Sequence, residues 1–527
     1  MASRDVFVRH FFGGGWATDF GPTAQVDVSQ QQTVTIPWLN EADNVVYELD
    51  GGPRKAPGAS KLNSVQMQSG ADVKGIYDAW FSGTGGTPTQ RRICHVGTTI
   101  KKDDADGTFT NIFTGLESGK VPSYTMLEDL LIMTSDSTAD VPKSWDGSTA
   151  QNLAGSPPNF SFCTTHKNRV WASGNAANPS RLYYTVLLTP ADWAGSGSGS
   201  IDIDPDDGDI ITGIISHRNE LIVFKGPNKG SIHRIAGSAP TGDDAFSRVP
   251  LVKGIGAVWH NTIIPVANDV IFMWSDGTIH SLQATNDFGD YNLSSLSRPI
   301  NSWIRDHVNK ARLRHAWAAD WPEKSFALFT VPIDSSQTNN IILMMDYSQG
   351  NAVKWAYWSS FNDTQCLAQG VDASDNNARV VFAGGGDGYI RKLGRPTRSI
   401  DDATTISYRV LTPFMSYGSP HNMKNIHGGY LSIQPRNSGN ITFGWQRDAN
   451  AQQTDTVAQG GTAVLGSFVL DSDTLGGSRY VDRFFRLETG GEFRSVQFQL
   501  SNNVLAEDVE IHGFGADLKS GAGSYEN

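Results

Sequence analysis

The chain has 527 residues, 55 of them glycine and only 18% charged, a turn-rich composition that argues for all-β structure over helical bundles. Its formal net charge of −12 disfavours free electrostatic attachment to nucleic acid or anionic lipid. Three widely spaced cysteines (Cys94, Cys163 and Cys366) fit a reducing assembly compartment, no apolar run reaches transmembrane length, and none follows Met1 as a signal peptide would.

Residues 1–60 read as an extended N-terminal arm. Short apolar pieces at Val34–Ile36 and Val45–Tyr47 alternate with turn formers, and the arm ends in Asp50-Gly51-Gly52-Pro53-Arg54-Lys55-Ala56-Pro57-Gly58. Arg54 and Lys55 beside glycines could make a phosphate site. The simpler expectation is a hairpin lying along the main body.

Residues 61–394 carry repeats. The first strands are Val73–Trp80 and Arg92–Val96, joined by a turn over Gly83–Pro88. Cys94 and His95 are neighbours, but adjacent strand residues point to opposite faces, so they are not expected to share a metal. Further on, aliphatic runs recur: Leu130–Met133, Val170–Ala172, Leu221–Phe224, Val270–Trp274, Phe326–Phe329 and Val380–Ala383. A polar residue opens each, namely Asp129, Arg169, Glu220, Asp269, Lys324 and Arg379, at intervals of 40, 51, 49, 55 and 55 residues. Asp276-Gly277 and Asp387-Gly388 begin a D-G-x-I-x-x-L motif, Lys229-Gly230 begins a variant of it, and Asp146-Gly147 is a fainter echo. Such pairs supply the positive φ of a tight hairpin turn. Short strands recurring every 40 to 50 residues or so predict a β-propeller, and six openers predict six blades. Runs without alternation fit strands covered on both faces.

Two loops inside the repeats invite a sharper reading. Gly195–Ser200 is a Gly-Ser tract, expected to be a long blade loop. Asp202, Asp204 and Asp206 alternate as in a calcium loop, but Gly208 falls one place late and Gly213 sits where a bidentate acid belongs. An acidic edge strand is therefore preferred to a metal site. One helix is expected over 297–316, with Pro299 in its first turn and Ile300, Trp303, Ile304, Val308 and Ala311 at helical spacing. Lys310, Arg312, Arg314 and His315 cluster near its end. They could grip DNA, but a solvated helix end or a subunit contact suits the acidic chain better.

Residues 395–527 change character, with a boundary expected at Arg395–Asp402. Ile441, Phe443 and Trp445 share one face of a strand, as do Val496, Phe498 and Leu500, with Ser495, Gln497 and Gln499 opposite. Period-two strands predict a C-terminal antiparallel β-sandwich. No nucleophile elbow, Walker loop, zinc motif or Cys-x-x-Cys occurs, so neither an enzyme nor a cofactor is expected.

From Arg181 onward the chain resembles the tail nozzle or tail-hub β-propeller proteins of short-tailed bacteriophages. The carrying segments are Arg181-Leu182-Tyr183-Tyr184, Ala191-Asp192-Trp193, Asp209–Ile214, Asn219–Lys225 and Ser231–Ile235. Asn268–Phe272 with Asp276-Gly277, and Asp346-Tyr347 before Trp355, continue it. Asp50–Gly58 is similar to the arm of such proteins. The resemblance implies a structural virion protein assembled in the host cytoplasm, with six copies forming a ring below the tail adaptor. DNA would leave through that ring, tail fibres could attach to it, and this chain would insert into no membrane. The rival reading is a propeller that binds or degrades glycans.

Overall fold

The computed structural model describes the chain except residues 1–4, 22, 27–32, 49–50, 83–86, 105–106, 285–290, 351, 418–422, 437–438, 449, 460–480, 487–491 and 521–527. Most of the turn expected over Gly83–Pro88 thus lies outside the described residues. Each aliphatic run after an opener is the second strand of a four-stranded antiparallel sheet. The hairpin before it is tight. Glu128 and Asp129, Lys167 and Asn168, Arg218 and Asn219, and Asn376 and Asn377 all take positive φ as consecutive pairs. That is the geometry that matches the right-handed twist of the flanking strands.

Seven such four-strand units are present, five as separate sheets and two within larger 11- and 6-stranded sheets, one more than the six openers predict. Blades 1 to 5 span residues 73–113, 122–152, 162–202, 210–253 and 263–295. Blade 6 spans 317–358, and blade 7 joins 364–395 to residues 58–61. The first strands of successive blades lie side by side, and Thr364–Asp372 of blade 7 meets Val73–Phe81 of blade 1, which closes the ring. The uncounted blade is the first. Its second strand, Thr89–Val96, reads TQRRICHV and lacks the aliphatic quartet. Strands packed between neighbouring blades are buried on both faces, as Arg169–Ser173, Phe326–Val331 and Ile341–Asp346 are throughout.

The expected continuous helix is three short pieces: a 3-10 turn at Arg298–Ile300, an α-helix at Asn301–His307 and a 3-10 stretch at Lys310–His315. Val308 takes extended backbone and bridges Ile333, while the Asn309 N–H donates to the Pro332 carbonyl. Pairing with the start of a blade-6 loop overrides the helical period there.

The N-terminal segment is not an arm beside the body. One sandwich sheet runs in the order Thr33–Ile36, Asp5–Phe12, Ile511–Ser520, Lys424–Ile433 and Val481–Arg486. In the second sheet Val496–Asn502 lies between Asn440–Arg447 on one edge and Tyr408–Leu411 and Phe414–Tyr417 on the other. Thr23–Val26 extends that sheet beside Phe414–Tyr417. The core between the sheets is aromatic. The His10 ring stacks on Phe514 at 4.4 Å between ring centres, and Phe443 and Phe498 pack nearby. Burial pushes the His10 imidazole down to about 3, so it stays neutral, and its Nε2 shares a 2.7 Å hydrogen bond with the Tyr417 hydroxyl. Ile441, Phe443 and Trp445 are buried together as their alternation predicts, but Gln497, expected on the wet face, is buried and donates to the Thr412 carbonyl.

Candidate functional site

Two features of this body bear on function: a junction that welds the propeller to the sandwich, and a stopper across the propeller axis. The weld is made by residues 41–61. Glu41–Asp43 pairs with Tyr408–Leu411 of the sandwich on one side and meets Tyr357 of blade 6 on the other, so one sheet runs from propeller to sandwich. Asp43 accepts from the Ser359 hydroxyl and N–H; burial nevertheless raises its carboxyl to about 6. The Val45–Tyr47 and Pro53–Lys55 hairpin follows. The Trp358 indole donates to the Val45 carbonyl at 2.9 Å, and the Tyr47 hydroxyl donates to the Trp355 carbonyl at 2.7 Å. Gly58–Lys61 then becomes the outer strand of blade 7. Glycine is required at Gly58, because a Cβ there would lie 1.9 Å from the Thr397 carbonyl oxygen.

An ionic cluster locks the hairpin to the far end of the sandwich. Arg54 reaches Asp508 at 2.6 Å and Glu48 at 2.8 Å, with Glu510 at 3.5 Å. Arg398 also pairs with Asp508, at 3.0 Å, and Arg436 with Glu510, at 2.6 Å. Burial would raise the Asp508 carboxyl, but Arg54 and Arg398 more than offset it and hold it below the usual range. Lys55 is fully buried and donates to the Asn502 side chain and the Val504 carbonyl. Burial lowers its pKa to about 8, partly countered by Glu507 and Asp508. Arg54 and Lys55 are therefore spent inside the fold and form no phosphate site.

The stopper comes from Lys310–His315, which precedes blade 6. Arg314 pairs at 2.9 Å with Asp136, which follows the second strand of blade 2, and lies 4.2 Å above the Trp259 ring that precedes blade 5. Blades 2 and 6 are not neighbours, so the segment reaches across the mouth of the ring. Leu313 is fully buried beneath it. Of the four cations expected to cluster here, Arg314 braces across the ring with a half-exposed side chain, while Lys310 and Arg312 are exposed.

The predicted acidic loop does not converge on a metal. Asp202 pairs with Arg181, Asp204 with Arg248, and neighbouring Asp207 with Lys225 at 2.8 Å. Gly199–Asp202 is the outer strand of blade 3, as the edge-strand reading expects. Among the described residues no group of three or more His, Cys, Asp or Glu could hold a metal ion. The three thiols are buried, and burial pushes Cys163 and Cys366 up to about 12.

The turn residues act as turns between second and third strands. Asp276 accepts from the Thr278 N–H, and Gly277 at φ +91° faces Ile304 of the helix, where a Cβ would come within 2.8 Å. Asp387 accepts from the Tyr389 N–H and pairs with Arg391, and Gly388 has φ +73°. Gly230 has φ +74°. Its turn is capped by Asp209, whose carboxylate accepts three successive N–H groups, from Asn228, Lys229 and Gly230. Asp146-Gly147 instead joins the third and fourth strands of blade 2. No local pattern marks the role of Asp508 or Asp209, because Asp508 acts on Arg54 and Arg398 and Asp209 on the turn at Asn228–Gly230.

No protein-family model matches this chain, and no curated protein does. Among solved structures it is similar to YCF48 from Cyanidioschyzon merolae, at 10% identity and TM-score 0.39, over 64% of this chain and 99% of that one. The β-propeller domain of Swd1 from Myceliophteria thermophila matches at 8% identity and TM-score 0.40, over 65% and 99%. The N-terminal domain of Nup159 matches at 8% and 0.39, over 67% and 98%. At these values the functions of those proteins carry no argument here. The strand pairing itself defines a seven-bladed β-propeller fused to a β-sandwich. No helix among the described residues is long and apolar enough to cross a membrane.

Proposed function

We propose that this chain is a structural subunit of a bacteriophage tail, one of a ring of copies below the tail adaptor through which DNA is ejected. The observation that carries the reading is the weld. Propeller and sandwich share a continuous sheet, and one N-terminal segment supplies strands to both, which suits a load-bearing block better than two hinged modules. The cations Arg54 and Lys55 are spent within the subunit, which suits a conduit that must let a polyanion slide. On this reading the DNA path is a lumen between subunits, which the Arg314–Asp136 pair across the mouth of the propeller supports. The ring order of six, the adaptor contact and any fibre attachment come from the resemblance alone. Electron microscopy of the concentrated protein tests the reading: closed rings are expected, and single particles in the presence of the adaptor would refute it. The rival glycan reading has one favourable observation, a cleft beside blade 1.

A further inference from the structure

We infer that the seam where the propeller ring closes, between blades 1 and 7, is a binding cleft for neutral oligosaccharides that holds them without cutting them. The inference does not rest on the tail reading.

Three other seams are filled by apolar side chains, whereas the seam between blades 5 and 6 opens into a cleft of about 580 Å³ that lacks an exposed indole. Ala79, Phe81 and Ile93 of blade 1 pack against Leu131, Met133 and Trp145 of blade 2, and comparable clusters fill the seams between blades 2 and 3 and between 4 and 5. The opposite face of blade 1 is apolar at Ile76 and Cys94 but changes character farther along the strands. Strand alternation puts Asp78 and Trp80 on that face, and the register places Arg92 and Gln90 directly across from them. Asp78 takes both Arg92 and the Val371 N–H, and the Arg92 guanidinium donates on to the Val371 carbonyl and lies 3.7 Å above the Phe382 ring. These polar contacts fasten blade 7 to blade 1 at one place and leave the seam open beyond it.

The opening is a cleft of about 630 Å³, within the roughly 300–1,000 Å³ of small-ligand sites. Trp80 lines it and is 43% exposed, although its neighbours Ala79 and Phe81 are buried. Phe109 and Leu62 add apolar surface, and Asp103, Ser374 and Asn377 supply polar groups. A flat exposed indole beside carboxylate, amide and hydroxyl groups suits the CH face and hydroxyls of a pyranose.

Charge decides the ligand class. Arg92 is committed to Asp78, and Lys392 to Asp372 at 2.5 Å, so an anionic sugar would meet no uncommitted cation among the described lining residues. The same accounting argues against hydrolysis. Glycoside cleavage needs two working carboxylates. Asp372 is held by Lys392 and Ser374, Asp78 by Arg92, and among the described lining residues only Asp103 remains. Burial raises the Asp103 carboxyl, although it accepts from the Arg92 N–H.

The test titrates the whole chain with oligomers of glucose, galactose, mannose and N-acetylglucosamine, and with polygalacturonate and heparin fragments, by calorimetry. A neutral oligomer is expected to bind, to remain intact by mass spectrometry, and to lose at least tenfold in affinity with Trp80→Ala. Phe20→Ala, an exposed ring elsewhere, should change nothing. On the unaltered chain, the neutral oligomer should slow oxidation of Trp80 by N-bromosuccinimide, read by peptide mass spectrometry, which removes any dependence on how the variant folds. The inference is overturned if no neutral oligomer binds at millimolar concentration, or if only the acidic fragments bind. Cleavage of the oligomer, or equal oxidation of Trp80 with and without it, overturns it too.

Discussion

Replacing Asp508 with alanine tests the weld at its most committed residue. Asp508 is the carboxylate shared by Arg54 and Arg398, and its loss leaves the Arg398 side chain, only 7% exposed, without that ion pair. Breaking a buried pair costs about 3–5 kcal/mol. Arg54 keeps Glu48 and Glu510, which places the loss near the lower end, about 3 kcal/mol. The hairpin is tied to this site because the Lys55 N–H donates to the Val509 carbonyl. Local opening of residues 45–55 should therefore become roughly a hundredfold easier, at about 1.4 kcal/mol per decade. Amide hydrogen exchange read by mass spectrometry measures this directly. Exchange should accelerate in that hairpin and in Arg398–Ile400, while blades 3 to 5 stay protected. Replacing the pair together, Asp508→Leu with Arg398→Met, should recover much of the loss, because an apolar pair removes the stranded charge. Unchanged exchange in the hairpin of Asp508→Ala, or equal acceleration in every blade, would refute the reasoning.

Other outcomes follow from the same structure. Gly230→Ala should destabilise more than Gly242→Ala in thermal or urea unfolding. Both glycines have positive φ, which costs an L-residue about 1–2 kcal/mol, but only at Gly230 would the new Cβ meet backbone, at 2.6 Å from Ile255. Stability should rise between pH 8 and about 10.5, with a slope of about one proton, because the fold binds the Lys55 proton less tightly than the unfolded chain does. Below pH 8 that penalty is fully present, and Lys55→Met should flatten the rise; an unaltered slope would contradict the assignment. Deleting residues 1–61 should yield aggregated protein, since it strips strands from both sandwich sheets and the outer strand of blade 7. A soluble, cooperatively folding truncation would show that the segment is dispensable.

The propeller was legible because second strands advertise themselves. A polar opener and an aliphatic quartet mark a strand whose two faces are both covered, and six of seven blades have one. Blade 1 escaped because Gln90 and Arg92 face a polar seam, so its second strand carries no uninterrupted apolar run. The glycine turns were readable for the same local reason, that a positive φ must be encoded at the residue that adopts it. The N-terminal strands do not read as part of a sandwich because Asp5–Phe12, besides its neighbour Thr33–Ile36, pairs with Gly513–Lys519 at the other end of the chain. Such pairing leaves no periodic mark in the segment itself. The helix failed for a related reason, as Val308 obeys Ile333 before it obeys its own period. Asp202, Asp204 and Asp206 show the limit of motif reading: alternation was visible, but Arg181 and Arg248, which claim two of the three carboxylates, were not.

Imaging of the purified chain at high concentration by electron microscopy, alone and with the adaptor, reaches the central claim most directly. A closed ring of copies is predicted, with each stoppered propeller intact and the lumen running between subunits. Isolated 57.1 kDa particles under both conditions would contradict it.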